Sequence, residues 1–213
     1  MIFLSLNTLQ IIFIILAPIV LAGLVVVFVV LPINHRRHKN NFREYCYKAI
    51  YKIAFDEDYY LINNFLFRVD QSTVARIDHI LFGNKYIYVI IDVYYDGDLV
   101  GKYENESFIL INKKNDRYYT DNQYNVCKSL VKSLSRTTGI EEGMFIGVAV
   151  VNNDCKLGIE TESKQYYIIQ RDKLKKLVKA IESRDVGKIN AAQLDAAVKA
   201  IDKLNRKKKN ENK

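Results

Sequence analysis

The sequence predicts an α/β fold in which helices flank a mixed central sheet, preceded by one apolar N-terminal helix. Stretches with helical spacing of apolar residues and runs of β-branched and aromatic residues alternate, as helix, three or four strands, helix, two strands and helices. Antiparallel strands, a crossover helix and a further strand together form a mixed sheet covered by helices. The first 34 residues carry no charged side chain, which separates them from the rest of the chain.

The uncharged segment, residues 1–34, has the composition of a transmembrane anchor. Residues 9–31 are apolar apart from Gln10. As a helix they would rise roughly 34 Å, enough for a hydrocarbon core of about 30 Å. A cleaved signal peptide fits less well, because no basic region precedes the run and no small-residue cleavage site follows it. We therefore expect residues 9–31 to contact the lipid bilayer.

Basic residues immediately after this run set the expected orientation. Residues 35–40 form a basic juxtamembrane linker, so the positive-inside rule predicts a single-pass cell-membrane protein with its N-terminus outside and its C-terminal domain in the cytoplasm. A second basic stretch, residues 207–213, is predicted to be a disordered tail. The formal net charge of +8 lies entirely beyond residue 34. Basic ends fit anionic lipid and the phosphate backbone of nucleic acid equally well.

Helices and strands are predicted in order from apolar periodicity. Helices are expected at residues 41–55, 121–139, 171–181 and 190–206, the last two forming a C-terminal amphipathic segment over residues 171–206. Strands are expected at residues 59–69, 74–83, 86–95, 106–112, 143–153 and 165–170. Gly139 and Asn190 stand where a C-terminal cap and an N-cap belong.

Two local features define the expected sheet, and the cysteines limit the chemistry. The strand at residues 86–95 is almost continuously apolar, as is typical of a central strand buried on both faces. Asp96-Gly97 predicts a hairpin turn directly after it. The three cysteines are far apart in the sequence and form no CxxC pair, so they predict neither a disulfide framework nor a zinc site.

The stretch ARIDHILFGNKYIYVIIDVYYDGDLVG, residues 75–101, resembles the nuclease-related domain (NERD) family. The most specific part is IDHILFG, followed by a YVI strand and by Gly97 and Gly101, with a helix containing Glu44 before it and one containing Gln123 after it. The resemblance implies a restriction-endonuclease-like PD-(D/E)xK fold over residues 41–170.

The resemblance also implies a chemistry. In this family, two carboxylates on neighbouring strands hold a divalent cation such as Mg²⁺ or Mn²⁺, which polarises a phosphate and activates water. A lysine two residues beyond the second carboxylate lies on the same strand face and stabilises developing charge. A helix glutamate and a helix glutamine complete the site. No other cofactor is expected.

The resemblance carries the first aspartate to Asp78, the helix glutamate to Glu44 and the helix glutamine to Gln123. Alignment without gaps on the two glycines puts the second carboxylate at Ile91 and the lysine at Val93, which are both apolar.

A one-residue shift uses Asp92 as the second metal ligand beside Asp78, but it leaves Tyr94 in the lysine position and turns the strand over. Lys85 or Lys102 is then the candidate replacement for the lysine.

Each candidate also has a structural explanation. Asp78 fits a hydrogen-bonded carboxylate at a strand end, and Asp92 fits a buried carboxylate with a structural partner. Glu44 has Lys48 at i+4, as in a solvated helix pair. Gln123 fits a helix start, and His79 beside Asp78 fits either a structural histidine or a general base.

Three functions follow from these alternatives. The first is a membrane-tethered NERD-like module that has lost hydrolytic activity and binds nucleic acid or plays a structural role. The second is a working Mg²⁺- or Mn²⁺-dependent nuclease, and the third is a scaffold on anionic lipid. The direction of residues 91–94 discriminates between the first two, because Asp92 facing Asp78 favours the active site and Asp92 pointing away favours a vestigial one.

Overall fold

A computed structural model of the chain describes residues 8–30, 39–70, 72–160 and 163–205. The chain divides into two units, Met1–Phe42 and Arg43–Lys213. In the first, helix α1 (Thr8–Val25) is followed by a π-helical turn.

Within the described ranges, no helix combines the length and the apolarity needed to cross a membrane. The predicted transmembrane helix therefore stays a prediction. Residues 35–38 of the predicted linker and the tail at 207–213 lie outside the described residues.

The remaining elements follow the order predicted from the sequence, with three additional strands. The helices are α2 (Phe42–Glu57), α3 (Gln123–Thr138), α4 (Leu174–Glu182) and α5 (Ala191–Leu204). The strands are β1 (Tyr60–Arg68), β2 (Val74–Phe82), β3 (Ile87–Val93), β4 (Gly97–Lys102), β5 (Ser107–Asn112), β6 (Arg117–Asp121), β7 (Phe145–Val151), β8 (Leu157–Glu160) and β9 (Tyr166–Gln170).

The central sheet is mixed, as predicted. Its five strands lie in the order β1-β2-β3-β7-β9. The first three strands pair antiparallel, and β3, β7 and β9 pair parallel. All seven residues of β7 and the first five of β3 are buried, which accounts for the unbroken apolar runs of both strands.

A second sheet corrects the expectation of a single central sheet with a hairpin at Asp96-Gly97. Strands β6-β5-β4-β8 form this sheet, and β4 pairs with β5 and β8 rather than returning along β3. Gly97 lies opposite Asn112, and a Cβ at Gly97 would collide with the backbone carbonyl of Ile111. The glycine thus allows close approach of two strands of the second sheet instead of a tight turn.

Helix ends and packing agree with the sequence patterns. The Asn122 side chain caps α3, Gly139 ends it at φ +73°, and Asn190 forms a capping box at the start of α5. One continuous core cluster includes residues from the central sheet, α3, α5 and the second sheet. Buried residues of α2, such as Cys46, lie outside that cluster, because α2 covers the other face of the central sheet.

Strands β1 and β2 each contain one extra outward-facing residue at the same level. Ile62 and Phe65 of β1 both enter the core, so the two residues between them, Asn63 and Asn64, face away from it. In β2, Ile77 and Ile80 likewise enter the core, so Asp78 and His79 between them face away from it. Asn63 pairs with His79 and Phe65 with Ile77, leaving Asn64 and Asp78 out of the ladder. Asn64 has φ +53°, a left-handed conformation that asparagine tolerates. This paired irregularity concentrates four polar side chains on the α2 face of the sheet.

Candidate functional site

A pocket of about 420 Å³ opens where α2 crosses the irregular part of β1 and β2 and the end of β3. We call it the Asp78 pocket. It is lined by Arg43, Glu44, Tyr47, Asn63, Asn64, Asp78, His79 and Asp92. Helix α2 supplies the first three of these side chains, and the central sheet supplies the rest.

Both carboxylate oxygens of Asp78 are engaged. Oδ1 accepts hydrogen bonds or ion pairs from Arg76 Nε and Nη2, each at 3.1 Å, and lies 3.8 Å from Arg43 Nε. Oδ2 accepts the backbone N–H of Asp92 at 3.0 Å. The ladder between β2 and β3 runs only as far as the His79–Ile90 pair. The Asp78 side chain therefore accepts the backbone N–H of Asp92, which lies beyond the last paired residue of β3.

Asp92 is buried beneath Asp78 and forms a pair with His79. Its side chain is 0% exposed, and Oδ2 lies 2.9 Å from His79 Nε2. The other ring nitrogen, Nδ1, lies 2.6 Å from Asn63 Oδ1, which fixes the orientation of the imidazole. Asp92 Oδ1 is buried and has no partner with hydrogen-bond geometry among the described residues. Burial raises the pKa of Asp92, and the neighbouring imidazole partly opposes that rise.

The Cys46 thiol of α2 lies beneath the pocket, next to the same carboxylate. Cys46 is fully buried. Burial first, and then the Asp92 carboxylate, raise the pKa of this thiol well above its ordinary value. A protonated thiol is a weak hydrogen-bond donor and a poor nucleophile, so Cys46 is a buried neighbour of Asp92 and not a reactive group of the pocket.

The orientation of β3 answers the question that the sequence left open. Ile91 is 7% exposed and belongs to the core cluster, and Val93 packs against that cluster. Asp92 lies on the opposite face and shares the pocket with Asp78. The register that assigns the carboxylate to Ile91 and the lysine to Val93 therefore places both positions on the core face, away from the Asp78 pocket, and it stays a prediction. By the criterion set from the sequence, this arrangement favours the active-site alternative, against which the hydrogen bonds of the carboxylates have to be weighed.

Of the other predicted site residues, Glu44 lies at the pocket and Gln123 does not. Glu44 lines the pocket while its carboxylate pairs with Lys48 Nζ at 2.6 Å. Gln123 Nε2 donates to Tyr95 Oη at 2.9 Å, and Tyr95 belongs to the core cluster on the far face of the sheet. The structure does not bring Gln123 to the pocket, and its catalytic role stays a prediction.

Neither lysine considered as a replacement lines the pocket. Lys85 Nζ donates to the Arg184 carbonyl, and Lys102 pairs with Glu160 at 3.3 Å. Tyr94, two residues beyond Asp92, comes after the end of β3 and is not a lining residue. Arginines supply the positive charge instead.

The pocket arginines were missed by the sequence analysis. Arg43 lines the pocket with a side chain that is 62% exposed, and Arg76, which is 44% exposed, contacts the lining residue Asp78. Arg76 Nη2 also donates to Asn64 Oδ1 at 3.1 Å. The polar Asn63-Asn64 break inside an otherwise apolar strand was the available signal, since such a break often marks a bulge beside a site.

The donor atoms do not fit a divalent cation as they stand. The two oxygens of Asp78 and one of Asp92 already accept hydrogen bonds, which leaves Asp92 Oδ1 as the buried acceptor without one. Among the residues that the structure describes, no group of three or more His, Cys, Asp or Glu side chains is arranged to hold a metal ion. Arg76 would have to release Asp78 before that carboxylate could serve as a ligand.

Comparison with known proteins gives the family. The family model described as nuclease-related domain matches residues 39–153, which include the whole pocket. The chain belongs to the nuclease-related domain family. No curated protein matches the sequence. The chain is also similar to the crystal structure of a protein of unknown function, AF1548, with 9% identity over 73% of this chain and 78% of that one, and a TM-score of 0.36.

In this nuclease-related domain, the matched region ends at residue 153, before α4 and α5. Ala197 and Ile201 of α5 nevertheless enter the same core cluster as the central sheet. Lys175 and Lys179 of α4 pair with Asp56 and Glu57 of α2, at 2.5 and 3.2 Å. Helix α4 therefore supports the helix that forms one wall of the pocket, while α5 packs into the core cluster.

Proposed function

We propose that this nuclease-related domain binds nucleic acid at the Asp78 pocket without hydrolysing it by the carboxylate–lysine chemistry implied by the family resemblance. The observation that carries the proposal is the double engagement of Asp78, whose oxygens are held by Arg76 and by the Asp92 amide. A carboxylate bound in this way is a structural anchor for a guanidinium. Arg76, held by that carboxylate, then has N–H donors left for a ligand.

The chemistry of the two arginines supports phosphate as the bound group. A guanidinium has five N–H donors in a planar fork that matches phosphate oxygens. Arg76 uses Nε and Nη2 on Asp78 and Asn64, two residues that line the pocket, and its side chain is 44% exposed. Arg43 approaches Asp78 from the helix side and remains mostly exposed. Two arginines that converge on one carboxylate form a preorganised site for a backbone phosphate.

Substitution of Arg76 tests the proposal directly. We expect the full chain, purified in a mild detergent, to bind fluorescent single-stranded oligonucleotides with a salt-dependent dissociation constant. Arg76→Ala should weaken binding and reduce the slope of log K against log salt by about 0.7, because one phosphate contact is lost.

A matched control is available on the other side of the sheet. Arg136 of α3 is also exposed, but it lies away from the pocket, so Arg136→Ala should bind like the wild type. Equal affinities for the wild type, Arg76→Ala and Arg136→Ala would refute phosphate binding at this pocket.

An active metal-dependent nuclease is the second candidate, because Asp78 and Asp92 line the same pocket. The full chain should be incubated with single- and double-stranded DNA and RNA in Mg²⁺ or Mn²⁺. Under our first proposal no cleavage is expected. Cleavage that is abolished by both Asp78→Ala and Asp92→Ala would establish the second candidate instead.

We further propose that residues 9–31 tether the domain to the cell membrane with the domain in the cytoplasm. The absence of charged residues in the first 34 positions and the basic residues that follow support this proposal. The full chain should remain with membranes after alkaline extraction, and its domain should be digested only when protease reaches the cytoplasmic side. Release into the alkaline supernatant would contradict the tether.

A further inference from the structure

One face of helix α2 carries a row of exposed aromatic rings. Tyr47, Tyr51 and Phe55 follow one another at i,i+4 spacing and are 39%, 52% and 77% exposed. Their ring centroids are 5.9 Å apart for the first pair and 6.4 Å for the second. The outer face of a helix packed on a sheet normally carries polar residues, so three large rings in a line there indicate a binding surface.

This row is continuous with the Asp78 pocket. The Tyr47 ring stacks on the His79 imidazole, with centroids 6.5 Å apart and planes at 24°. A second depression, also of about 420 Å³, runs beside the row and shares Tyr47 and Asn63 with the Asp78 pocket. Its other wall is the start of β1, where Tyr60 is 48% exposed. We call Tyr47, Tyr51, Phe55 and Tyr60 the aromatic track.

We propose that the aromatic track binds single-stranded nucleic acid by stacking its bases, while a backbone phosphate of the same strand sits at the Asp78 pocket. The inference rests on the proposed function and extends it from phosphate binding to a class of substrate. Aromatic side chains beside a basic groove are the general means by which proteins hold single strands without reading their sequence.

The spacing and charge of the row favour a single strand over other occupants. Neighbouring rings are separated by about 6 Å, the rise of one helical turn, which is wider than the roughly 3.4 Å between stacked bases of one strand. Rings at this separation can contact the faces of bases in an extended strand, whereas a duplex hides those faces. Lys52 directly follows Tyr51 in the helix and supplies positive charge beside the rings, whereas Lys48 pairs with Glu44 and Asp58 lines the depression.

Substitution of exposed track residues tests the inference. Fluorescence anisotropy should compare the affinity for an oligothymidylate with the affinity for a duplex of equal length. The oligothymidylate should be longer than the roughly 4–16 nucleotides that one OB fold covers. Tyr51→Ala and Phe55→Ala should each weaken binding of the single strand by about 5- to 100-fold, which corresponds to the loss of one stacked base. Tyr119→Ala, at an 83% exposed tyrosine in the second sheet, is the matched control and should bind like the wild type.

A second substitution separates stacking from simple apolar contact. Tyr51→Leu keeps apolar area but removes the flat ring, so it should weaken binding as Tyr51→Ala does. Tyr51→Phe should retain wild-type affinity. Wild-type binding by Tyr51→Leu, or tighter binding of the duplex than of the single strand, would overturn the inference.

The failures of the two proposals give different results. If Arg76→Ala weakens oligonucleotide binding and the track variants do not, the phosphate site stands and the track is refuted. If the wild type binds no oligonucleotide, both the proposed function and the proposal that the aromatic track stacks bases are refuted. Binding to vesicles of phosphatidylcholine and phosphatidylglycerol tests a lipid surface as the alternative partner. If the track variants lose vesicle binding but keep oligonucleotide binding, the rings belong to a membrane-binding surface.

Discussion

The two ends of the β2–β3 pair each hold a carboxylate removed from solvent, and the two are used differently. At the turn end, Glu182 of α4 accepts Tyr88 Oη at 2.8 Å and the Lys85 backbone N–H at 3.0 Å, one on each oxygen. At the pocket end, Asp92 has one oxygen on His79, and the buried Cys46 thiol is the other hydrogen-bonding neighbour of its carboxylate. Burial raises the pKa of both groups. Glu182 is held by two hydrogen bonds within the fold, whereas Asp92 lines the Asp78 pocket and has a thiol, which is a weak donor, as one of its two partners.

The largest effect on stability is expected from Ile91→Asp, which puts a carboxylate on the core face of β3 instead of the face that lines the pocket. Ile91 lies in the hydrophobic core cluster, where a charge is costly to bury, so the variant should lose about 3 kcal/mol or more of unfolding free energy. Urea unfolding followed by circular dichroism measures the loss. Val100→Asp, at a strand position that is 39% exposed, should lose less than about 1 kcal/mol. Equal losses would contradict the placement of Ile91 in the core and of Val100 at the surface.

Glu182→Ala should have the next largest effect, because it removes the brace at the turn end. The Tyr88 hydroxyl, on a residue that is 0% exposed, would be left without its acceptor, as would the Lys85 amide. We expect a loss of about 2 kcal/mol or more, measured by the same urea unfolding. Glu160→Ala, at a side chain 76% exposed, should change stability by no more than about 0.5 kcal/mol.

Asp92→Asn should change stability less than Glu182→Ala, by no more than about 1 kcal/mol. The amide keeps an acceptor for His79 and removes the cost of burying a charge beside an unsatisfied oxygen. Parallel urea unfolding of the two variants makes the comparison. A loss as large as that of Glu182→Ala would show that Asp92 is a second brace and would weaken its assignment to a functional pocket.

The smallest effect concerns pH. Because burial raises the pKa of Glu182 in the folded state, its stabilising contribution is complete below its ordinary value of 4.5 and is lost as pH rises through the folded value. Glu182→Gln should therefore flatten the decline of melting temperature above about pH 4.5.

Asp70 provides a comparison of opposite sign. The backbone N–H groups of Ser72 and Thr73 lower the pKa of Asp70 to about 2, so its contribution is present above its ordinary value of 3.8 and lost as pH falls through about 2. Asp70→Asn should alter only this acid limb of the melting curve. A change in the same limb for both variants would contradict the assignment of the two shifts.

Periodicity predicted most of the central sheet because its strands are long and uniformly apolar. The continuous run of β3 and the caps at Gly139 and Asn190 were found from local chemistry alone. The second sheet was largely missed because β4 and β8 have four to six residues, contain glycine and charge, and are half exposed. These segments become strands because they pair with segments that are distant in the chain, and the sequence alone does not indicate that pairing.

The candidate site was predicted in its carboxylates and missed in its cations. Asp78 and Asp92 stood out because a charged residue in an apolar strand needs a partner. The partners, Arg76 and His79, became visible only when β1 and β2 were aligned, since alternation along a regular strand would separate Asp78 from His79. An ungapped motif alignment could not detect that displacement.

The matched extra residues of β1 and β2 also bear on how such a pocket arises and disappears. Asn64 and Asp78 stand opposite each other outside the ladder, so the polar cluster depends on chain length as well as on residue type. Removal of one residue from either strand would restore simple alternation and turn half of the cluster toward the core. In this chain, deletion of one of these residues should therefore disrupt the pocket more completely than any single substitution of its lining.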